Sequence, residues 1–252
     1  MCPSLCAFWE EQHQSRTVSG GNKGIDYELC RNLVQAGHFC PARGSQRILR
    51  PGSNRTPEQD GAETVRLIEL DTTKQETVTA APKQIADTFG QLDVLVHNAG
   101  INVEGDGPPS GADLSAVHKV LDTNFIGTLR VTQAMLPLLK KAPSARIVNV
   151  SSELGSMTLN SDPAWEHSNA KLIGYNASKA AMKMLTVQLA WELRGTNIKV
   201  NSANPGFTRT GLNNNQGTQP VEVGALAATR LALLDESGPT GSAISKDGAD
   251  PW

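Results

Sequence analysis

Aromatic residues, long apolar runs and charge of one sign are all scarce in this chain. Only 4% of the residues are aromatic, so we expect a core of aliphatic side chains. The net charge of −2 and the pI of about 6.2 give no electrostatic reason to expect a nucleic acid or an anionic membrane as a partner. No apolar run approaches the roughly 18 residues that a membrane helix needs, so we expect no membrane span.

Cysteine is also scarce, and its distribution argues against a disulfide framework. All four cysteines (Cys2, Cys6, Cys30 and Cys40) lie in the first forty residues, whereas secreted disulfide scaffolds are denser and spread along the chain. Neither the cysteines nor the five histidines show the paired spacing of a zinc site. The first residues also lack the basic start and apolar stretch of a secretory signal. We therefore predict a cytoplasmic protein with reduced cysteines.

What the chain does have is a regular alternation of helix-like and strand-like segments. Helices are predicted over 22–36, 113–141, 175–195 and 220–234, and strands over 65–70, 92–100, 145–152, 197–206 and 242–245. Short apolar strands that alternate with helices predict an α/β fold. We therefore expect a single doubly wound, Rossmann-type domain over 1–252, with a mostly parallel sheet flanked by helices on both faces.

The N-terminal third fits this pattern less well. Residues 1–16 form an atypical segment that could be disordered. In the first expected strand, only Thr17 and Val18 suit a buried position. The next expected strand, 38–44, contains Pro41, which cannot donate a hydrogen bond to a neighbouring strand.

The stretch SGGNKGID, residues 19–26, joins the first expected strand to the first helix. Its glycines would let the backbone lie against a dinucleotide pyrophosphate. Asp26 stands where a third glycine is usual, and its carboxylate is bulky and has the wrong sign for a phosphate site. Taken alone, this stretch is weak evidence for nucleotide binding.

Tyr175 and Lys179 lie four residues apart in YNASK, so on a helix the ammonium can sit beside the phenol. A free tyrosine has a pKa of about 10, which a nearby cation lowers. The pair alone is weak, because this spacing also arises on solvated helix faces. Two polar residues strengthen it: Ser152, at the carboxyl end of a buried strand, where α/β sheets place their ligands, and Asn124, in an otherwise apolar helix.

Together these motifs resemble the short-chain dehydrogenase/reductase family, most closely its NADPH-dependent carbonyl reductase-like members. They occur in the order of that family: Gly20-x-x-x-Gly24, Asn98-Ala99-Gly100, Asn124, Ser151-Ser152, Tyr175-x-x-x-Lys179 and Pro205-Gly206. The resemblance covers residues 90–252 throughout. It implies hydride transfer between a nicotinamide and the carbonyl carbon of a small molecule, or the reverse reaction on an alcohol, by a monomer or homo-oligomer.

The resemblance also implies a role for each member of the catalytic set. Ser152 would hydrogen-bond the substrate carbonyl, and Tyr175 would deliver or remove the proton. Lys179 would lower the pKa of the tyrosine and hold the nicotinamide ribose. Asn124 would support a proton path through water.

NADP is the cofactor that the sequence favours over NAD. A carboxylate at the end of the second strand would repel a 2′-phosphate, but residues 40–43 offer Arg43 and no acid, and Lys23 adds a second cation. Both could instead be ordinary surface charges. Asp71 matches the acidic residue of the family near the adenine, or simply forms a strand-ending turn. The expected cofactor-binding residues are Ser19, Gly20, Asn22, Lys23, Gly24, Ile25, Arg43, Asp71, Asn98, Ala99, Gly100, Pro205, Gly206 and Thr208.

Two segments are expected to contact the substrate. Residues 153–174 contain Met157, Leu159 and Trp165, which either line an apolar pocket or pack as a surface flap. Residues 207–219 are suited to a lid over the bound cofactor.

Two functions follow as alternatives. The first is an active NADPH-dependent carbonyl reductase. The second is a reductase-like protein with weakened or lost cofactor binding that serves as a binding or scaffold protein. Asp26, Pro41 and the polar first strand favour the second alternative, and the intact catalytic set favours the first.

Overall fold

The computed structural model describes residues 5–7, 16–19, 24–35 and 66–252. The expected cofactor residues Gly20, Asn22, Lys23 and Arg43 lie outside these residues, as does the expected strand 38–44. Within the described part of the chain the strands are β1 (Leu5–Ala7), β2 (Arg16–Ser19), β3 (Arg66–Ile68), β4 (Val94–His97), β5 (Ala145–Val150), β6 (Ile198–Ala203), β7 (Ala243–Ser245) and β8 (Gly248–Ala249).

These strands form one sheet in the order β3-β1-β2-β4-β5-β6-β7-β8. The five neighbours from β2 to β7 in this order are all parallel, which confirms the mostly parallel sheet. β2 pairs with β4 despite its polar composition. β1 was not predicted, and it lies antiparallel between β2 and β3. Residues 5–7 of the atypical N-terminal segment are therefore part of the sheet.

Helices cover both faces of the sheet. They are α1 (Ile25–Gln35), α2 (Gln75–Phe89), α3 (Leu114–Leu121), α4 (Gly127–Leu139), α5 (Met157–Asn160), α6 (Ile173–Glu192), α7 (Val221–Gly224) and α8 (Leu226–Ala232), with a π-helical turn at Asp122–Ile126 and 3-10 turns at Glu153–Gly155 and Gly211–Asn213. No helix among the described residues is long and apolar enough to span a bilayer. The cytoplasmic location stays a prediction.

The core has two layers because alternate residues of a strand point to opposite faces of a sheet. Val94 and Val96 of β4 pack with α1 and α8 on one face. Leu95 packs with α2, α4 and α6 on the other. The largest fully buried side chains are leucine, isoleucine and methionine, so the expected aliphatic core is confirmed. Helices therefore cover both faces of the sheet, and the candidate site residues lie at the carboxyl edge of its parallel strands.

Three helical features differ from the sequence prediction. α2 was missed, although Val78, Ala81 and Ile85 form its buried face at helical spacing, because Pro82 and the polar residues around it obscured the pattern. The predicted helix 113–141 is interrupted by the π-helical turn that contains Asn124. The predicted helix 220–234 is divided at Ala225 into α7 and α8.

Candidate active site

The four expected catalytic residues meet at the carboxyl edge of the parallel strands. Lys179 of α6 donates from Nζ to the carbonyl oxygen of Val150, the last residue of β5, at 2.9 Å. In return, Ser151 Oγ donates to the carbonyl oxygen of Lys179 at 3.0 Å. These two hydrogen bonds hold the end of β5 against the helix that carries the tyrosine.

Ser152 lies close enough to Tyr175 for its hydroxyl to lower the pKa of the phenol. Ser152 also caps the following 3-10 turn, accepting the N–H of Leu154 on Oγ at 3.2 Å. Lys179 Nζ lies 5.6 Å from the centre of the Tyr175 ring. The serine hydroxyl, the phenol and the ammonium therefore form one cluster, as the sequence predicted.

Asn124 is buried in the π-helical turn between α3 and α4. Its amide exchanges two hydrogen bonds with the backbone of Ile101, at 2.7 and 2.9 Å, and donates to Ser178 Oγ at 3.0 Å. Ser178 belongs to α6 between Tyr175 and Lys179. Asn124 thus connects the loop after β4 to the helix that carries Tyr175 and Lys179. π-Helical turns often occur at functional sites.

The sequence analysis missed Asp106, which fixes the start of α6. Its two carboxylate oxygens accept the N–H groups of Gly174 and Tyr175, both at 2.8 Å. The first N–H groups of a helix have no partner within the helix, and a carboxylate there also suits the helix dipole. Asp106 comes from a turn far away in sequence, so no local motif pointed to it.

The electrostatics correct one expectation. Burial raises the pKa of Tyr175 to about 12, and the Ser152 side chain opposes this rise. Burial also lowers the pKa of Lys179 to about 8, and Asp26 opposes this change. The pKa of the tyrosine is therefore raised and not lowered as expected, because burial of the phenol is the dominant influence. At neutral pH the phenol is protonated.

An aromatic contact joins the two expected substrate segments. The Trp165 and His167 rings pack edge to face with centroids 5.5 Å apart, and His167 lies 5.7 Å from the Phe207 ring. Trp165 is half-buried, whereas Met157 is 76% exposed. The two expected segments, 153–174 and 207–219, therefore contact each other through the His167 and Phe207 rings.

The comparison with known proteins decides the family. The family model for short chain dehydrogenases matches residues 16–220. The chain belongs to the short-chain dehydrogenases. Short-chain dehydrogenase anuI of Penicillium roqueforti is 33% identical, over 85% of this chain and 86% of its own. The (+)-neomenthol dehydrogenase of Capsicum annuum is 28% identical, over 89% of this chain and 93% of its own.

The fold of this chain is similar to the folds of solved structures. The NADPH-bound carbonyl reductase from chicken fatty liver has a TM-score of 0.73 with 24% identity, over 92% of each chain. The Rossmann-type fold predicted from the sequence is thereby confirmed. Short-chain dehydrogenases are oxidoreductases that use nicotinamide cofactors.

The edge of the sheet fits a nicotinamide cofactor at two glycines. A Cβ at Gly100 would lie 3.5 Å from Lys179 Nζ and 3.7 Å from Asn124 Oδ1, in the space between these two groups. Gly24, at the start of α1, has a φ of +64°, a backbone conformation that glycine adopts without strain. Both would let a ligand approach the backbone closely at the neighbouring ends of β2 and β4, where doubly wound sheets bind dinucleotides.

Two of the other expected cofactor residues that the structure describes, Asp71 and Thr208, have hydrogen-bond partners within the protein. Asp71 accepts from the Thr73 N–H at 3.0 Å and hydroxyl at 2.7 Å, so the strand-ending turn is what the structure shows for it. Thr208 Oγ1 donates to the carbonyl oxygen of Pro205 at 2.9 Å and accepts from Gln219. Asn98, Ala99 and Gly100 follow β4, Ser19 ends β2, Ile25 starts α1, and Gly206 follows Pro205.

His97 at the end of β4 is a buried residue. Its Nε2 lies 2.9 Å from Thr132 Oγ1. That hydroxyl donates to the carbonyl oxygen of Thr128, so the imidazole must be the donor between them. Burial lowers the pKa of His97 to about 3, and the ring is neutral at physiological pH.

A buried neutral histidine makes the fold sensitive to acid. Since the pKa of His97 is lower in the folded state than the value of about 6.5 in the unfolded chain, the unfolded chain binds more protons as the pH falls below 6.5. Between pH 7 and pH 4.5 the unfolding free energy of the wild type should therefore fall by roughly 2–3 kcal/mol because of His97. We expect His97→Asn to lack this decrease when both proteins are measured by urea unfolding. The exposed His118 offers the control: His118→Asn should leave the acid sensitivity unchanged, and equal behaviour of both variants would contradict the assignment.

Proposed function

We propose that the protein is an NADPH-dependent carbonyl reductase. The observation that supports this most is the cluster at the carboxyl edge of the sheet, where the Lys179 ammonium lies 5.6 Å from the centre of the Tyr175 ring and Ser152 is close enough to lower the pKa of the phenol. These three groups offer a hydrogen-bond donor for a carbonyl oxygen, a proton and a positive charge within one site. That is the set of groups needed to reduce a carbonyl to an alcohol.

The proton transfer falls to Tyr175. A nicotinamide cofactor bound at this edge would supply the hydride. The Ser152 hydroxyl would donate a hydrogen bond to the substrate oxygen, and the Tyr175 hydroxyl would give that oxygen its proton as charge develops on it. The raised pKa of Tyr175 favours this direction, because the phenol holds its proton at neutral pH until a more basic alkoxide-like oxygen forms beside it.

Lys179 and Asn124 would serve the phenol after it has lost its proton. The Lys179 ammonium stabilises a phenolate in a low-dielectric site by its charge. Asn124 Oδ1 uses one acceptor position for the Ile101 N–H and retains a second, since an amide oxygen has two lone pairs. We assign that second position to a water molecule in the path that returns a proton to Tyr175.

NADP rather than NAD is the proposed cofactor. The sequence argument from Lys23 and Arg43 supports it, and so does the similarity of the fold to an NADPH-bound carbonyl reductase. A small carbonyl or alcohol is the proposed substrate. The (+)-neomenthol dehydrogenase among the relatives makes (+)-neomenthol with NADP⁺ a suitable first probe in the oxidation direction.

The test is cofactor binding followed by turnover. We expect NADPH fluorescence to show saturable binding, weaker binding of NADH, and consumption of NADPH in the presence of an aldehyde or ketone panel. Absence of saturable binding at about 1 mM NADPH, the upper end of ordinary enzyme affinities, would refute the reductase. It would favour the alternative, a reductase-like binding or scaffold protein.

A further inference from the structure

Asp26 is the departure from the family pattern that the proposed mechanism does not use. It is the second residue of α1, an 11-residue helix, and its side chain is only 8% exposed. A carboxylate at a helix N-terminus can turn outward to water, but this one points into the protein. The position therefore needs a physical reason.

The partners of Asp26 come from two other elements of the site. The Asn98 side chain, in the loop after β4, and the Lys179 ammonium of α6 both stabilise the charged form of the Asp26 carboxyl group. Its Oδ1 atom is buried and has no hydrogen-bond partner. Asp26 is therefore close enough to Lys179 for each charge to influence the pKa of the other.

A buried oxygen without a partner is costly in a folded protein. Here it lies at a helix N-terminus, which favours anionic ligands, and near Asn98 and Lys179, for which the family resemblance implies contacts with the cofactor. A carboxylate would repel an anionic ligand at this place, whereas a carboxylic acid would donate a hydrogen bond to it. Protonation of the unpartnered oxygen converts the obstacle into a binding group.

We propose that Asp26 is a cofactor-binding residue that acts as a neutral carboxylic acid, so that NADPH binding is coupled to protonation of Asp26. This rests on the proposed function. In the free protein above the pKa of Asp26, the carboxylate is attracted to Lys179. Binding takes up one proton from solvent onto the carboxyl group, which then donates to an oxygen of the cofactor.

The groups that face Asp26 agree with this assignment. Burial and the Cys30 thiol on the same helix raise the pKa of Asp26 well above its usual range, while Asn98 and Lys179 lower it by less. Among the described residues, Cys30 and Lys179 are the titratable groups that act on it electrostatically. The carboxyl group can therefore change its protonation state closer to neutral pH than an exposed aspartate does.

The deciding experiment measures NADPH affinity against pH for the wild type, Asp26→Asn and Asp26→Gly. Above the pKa of Asp26, the NADPH dissociation constant of the wild type should rise about tenfold per pH unit relative to that of either variant. The reason is that the wild type must take up one extra proton in order to bind. Asp26→Gly should bind more weakly than the wild type at low pH, where it lacks the hydrogen bond, and more tightly at high pH, where it lacks the charge.

Proton uptake supplies a second readout that does not depend on turnover. Calorimetry in two buffers of different ionisation heat should show about one proton more for the wild type than for Asp26→Asn. Glu76→Gln is the matched control, because Glu76 is also an acid in the first turn of a helix but is exposed, and it should behave as the wild type does.

The possible failures are distinguishable. Equal affinity and equal proton uptake of the wild type and Asp26→Asn at every pH would overturn the proposal while leaving the reductase in place. Tighter NADPH binding by Asp26→Gly at all pH values would show that Asp26 obstructs the cofactor instead of binding it. This result would also overturn the proposal. If no variant binds NADPH, the proposed function itself fails and the role of Asp26 with it.

Discussion

Tyr175→Phe is expected to lower the turnover of carbonyl reduction about 10²–10⁴-fold, the usual contribution of a positioned general acid. Phenylalanine keeps the ring beside Lys179 but removes the hydroxyl group and the proton that it would donate. NADPH affinity should change little, because Lys179, Gly100 and Asn124 keep their positions. Turnover number and NADPH dissociation constant, measured on the same preparation, separate the two effects.

The chain has only one other tyrosine, and it provides the control. Tyr27 is buried in the apolar layer between α1 and α8, away from Ser152. Tyr27→Phe removes the same hydroxyl group from a core position, and we expect turnover to stay within about twofold of the wild type, since it leaves the groups that transfer protons untouched. Retained turnover in Tyr175→Phe, with NADPH still bound, would refute the assigned role.

The clustering of the candidate catalytic residues was predictable because they follow elements with strong sequence signals. β5 and β6 are apolar runs buried along their length, and parallel strands end at one edge. Ser152 follows the first of these strands, and Tyr175 and Lys179 share a helix face. Spacing along two reliable elements was sufficient to bring the three side chains together.

Other features depend on contacts between distant parts of the chain. Asp106 accepts from the start of α6 across 68 residues of sequence, and the N-terminal β1 enters the sheet beside β3. Neither pairing leaves a local pattern. The pKa of Tyr175 was predicted in the wrong direction for the same reason: the lysine four residues away was visible in the sequence, but the burial of the phenol was not.

Asp26 shows the opposite case, in which a local oddity pointed to a real feature. The sequence identified the residue as a misfit in a phosphate-binding loop but could not say where its side chain points. The structure directs it inward, to Asn98 and Lys179. The departure from the family pattern and the catalytic set are therefore physically connected, and a change at one affects the charge balance of the other.

The second large effect is expected at Gly155, in the 3-10 turn that follows Ser152. A Cβ at this position would lie 2.6 Å from the carbonyl carbon of Lys179 and 2.8 Å from the nitrogen of Ala180. Both are backbone atoms of α6 and cannot rotate away. Since carbon atoms pack at about 3.5–4.0 Å, the turn and the helix must move apart by roughly 1 Å in Gly155→Ala.

That separation acts on the distance between Ser152 and Tyr175, which sit on the two elements that are pushed apart. A misplacement of about 1 Å at a reacting centre can cost about 10²-fold in rate, so we expect Gly155→Ala to lower turnover about 10–100-fold. Overpacking should also reduce the unfolding free energy by about 1–3 kcal/mol. Turnover must therefore be measured at a temperature where urea unfolding shows the variant to be folded.

Gly111→Ala is the matched control, because a Cβ at Gly111 meets nothing within 4 Å and its φ is not in the left-handed region. We expect it to change the unfolding free energy by no more than about 0.5 kcal/mol and to leave turnover unaltered. A Gly155→Ala protein that loses stability but turns over at the wild-type rate would contradict the argument. In that case the turn at Gly155 would stabilise the fold but would not set the distance between Ser152 and Tyr175.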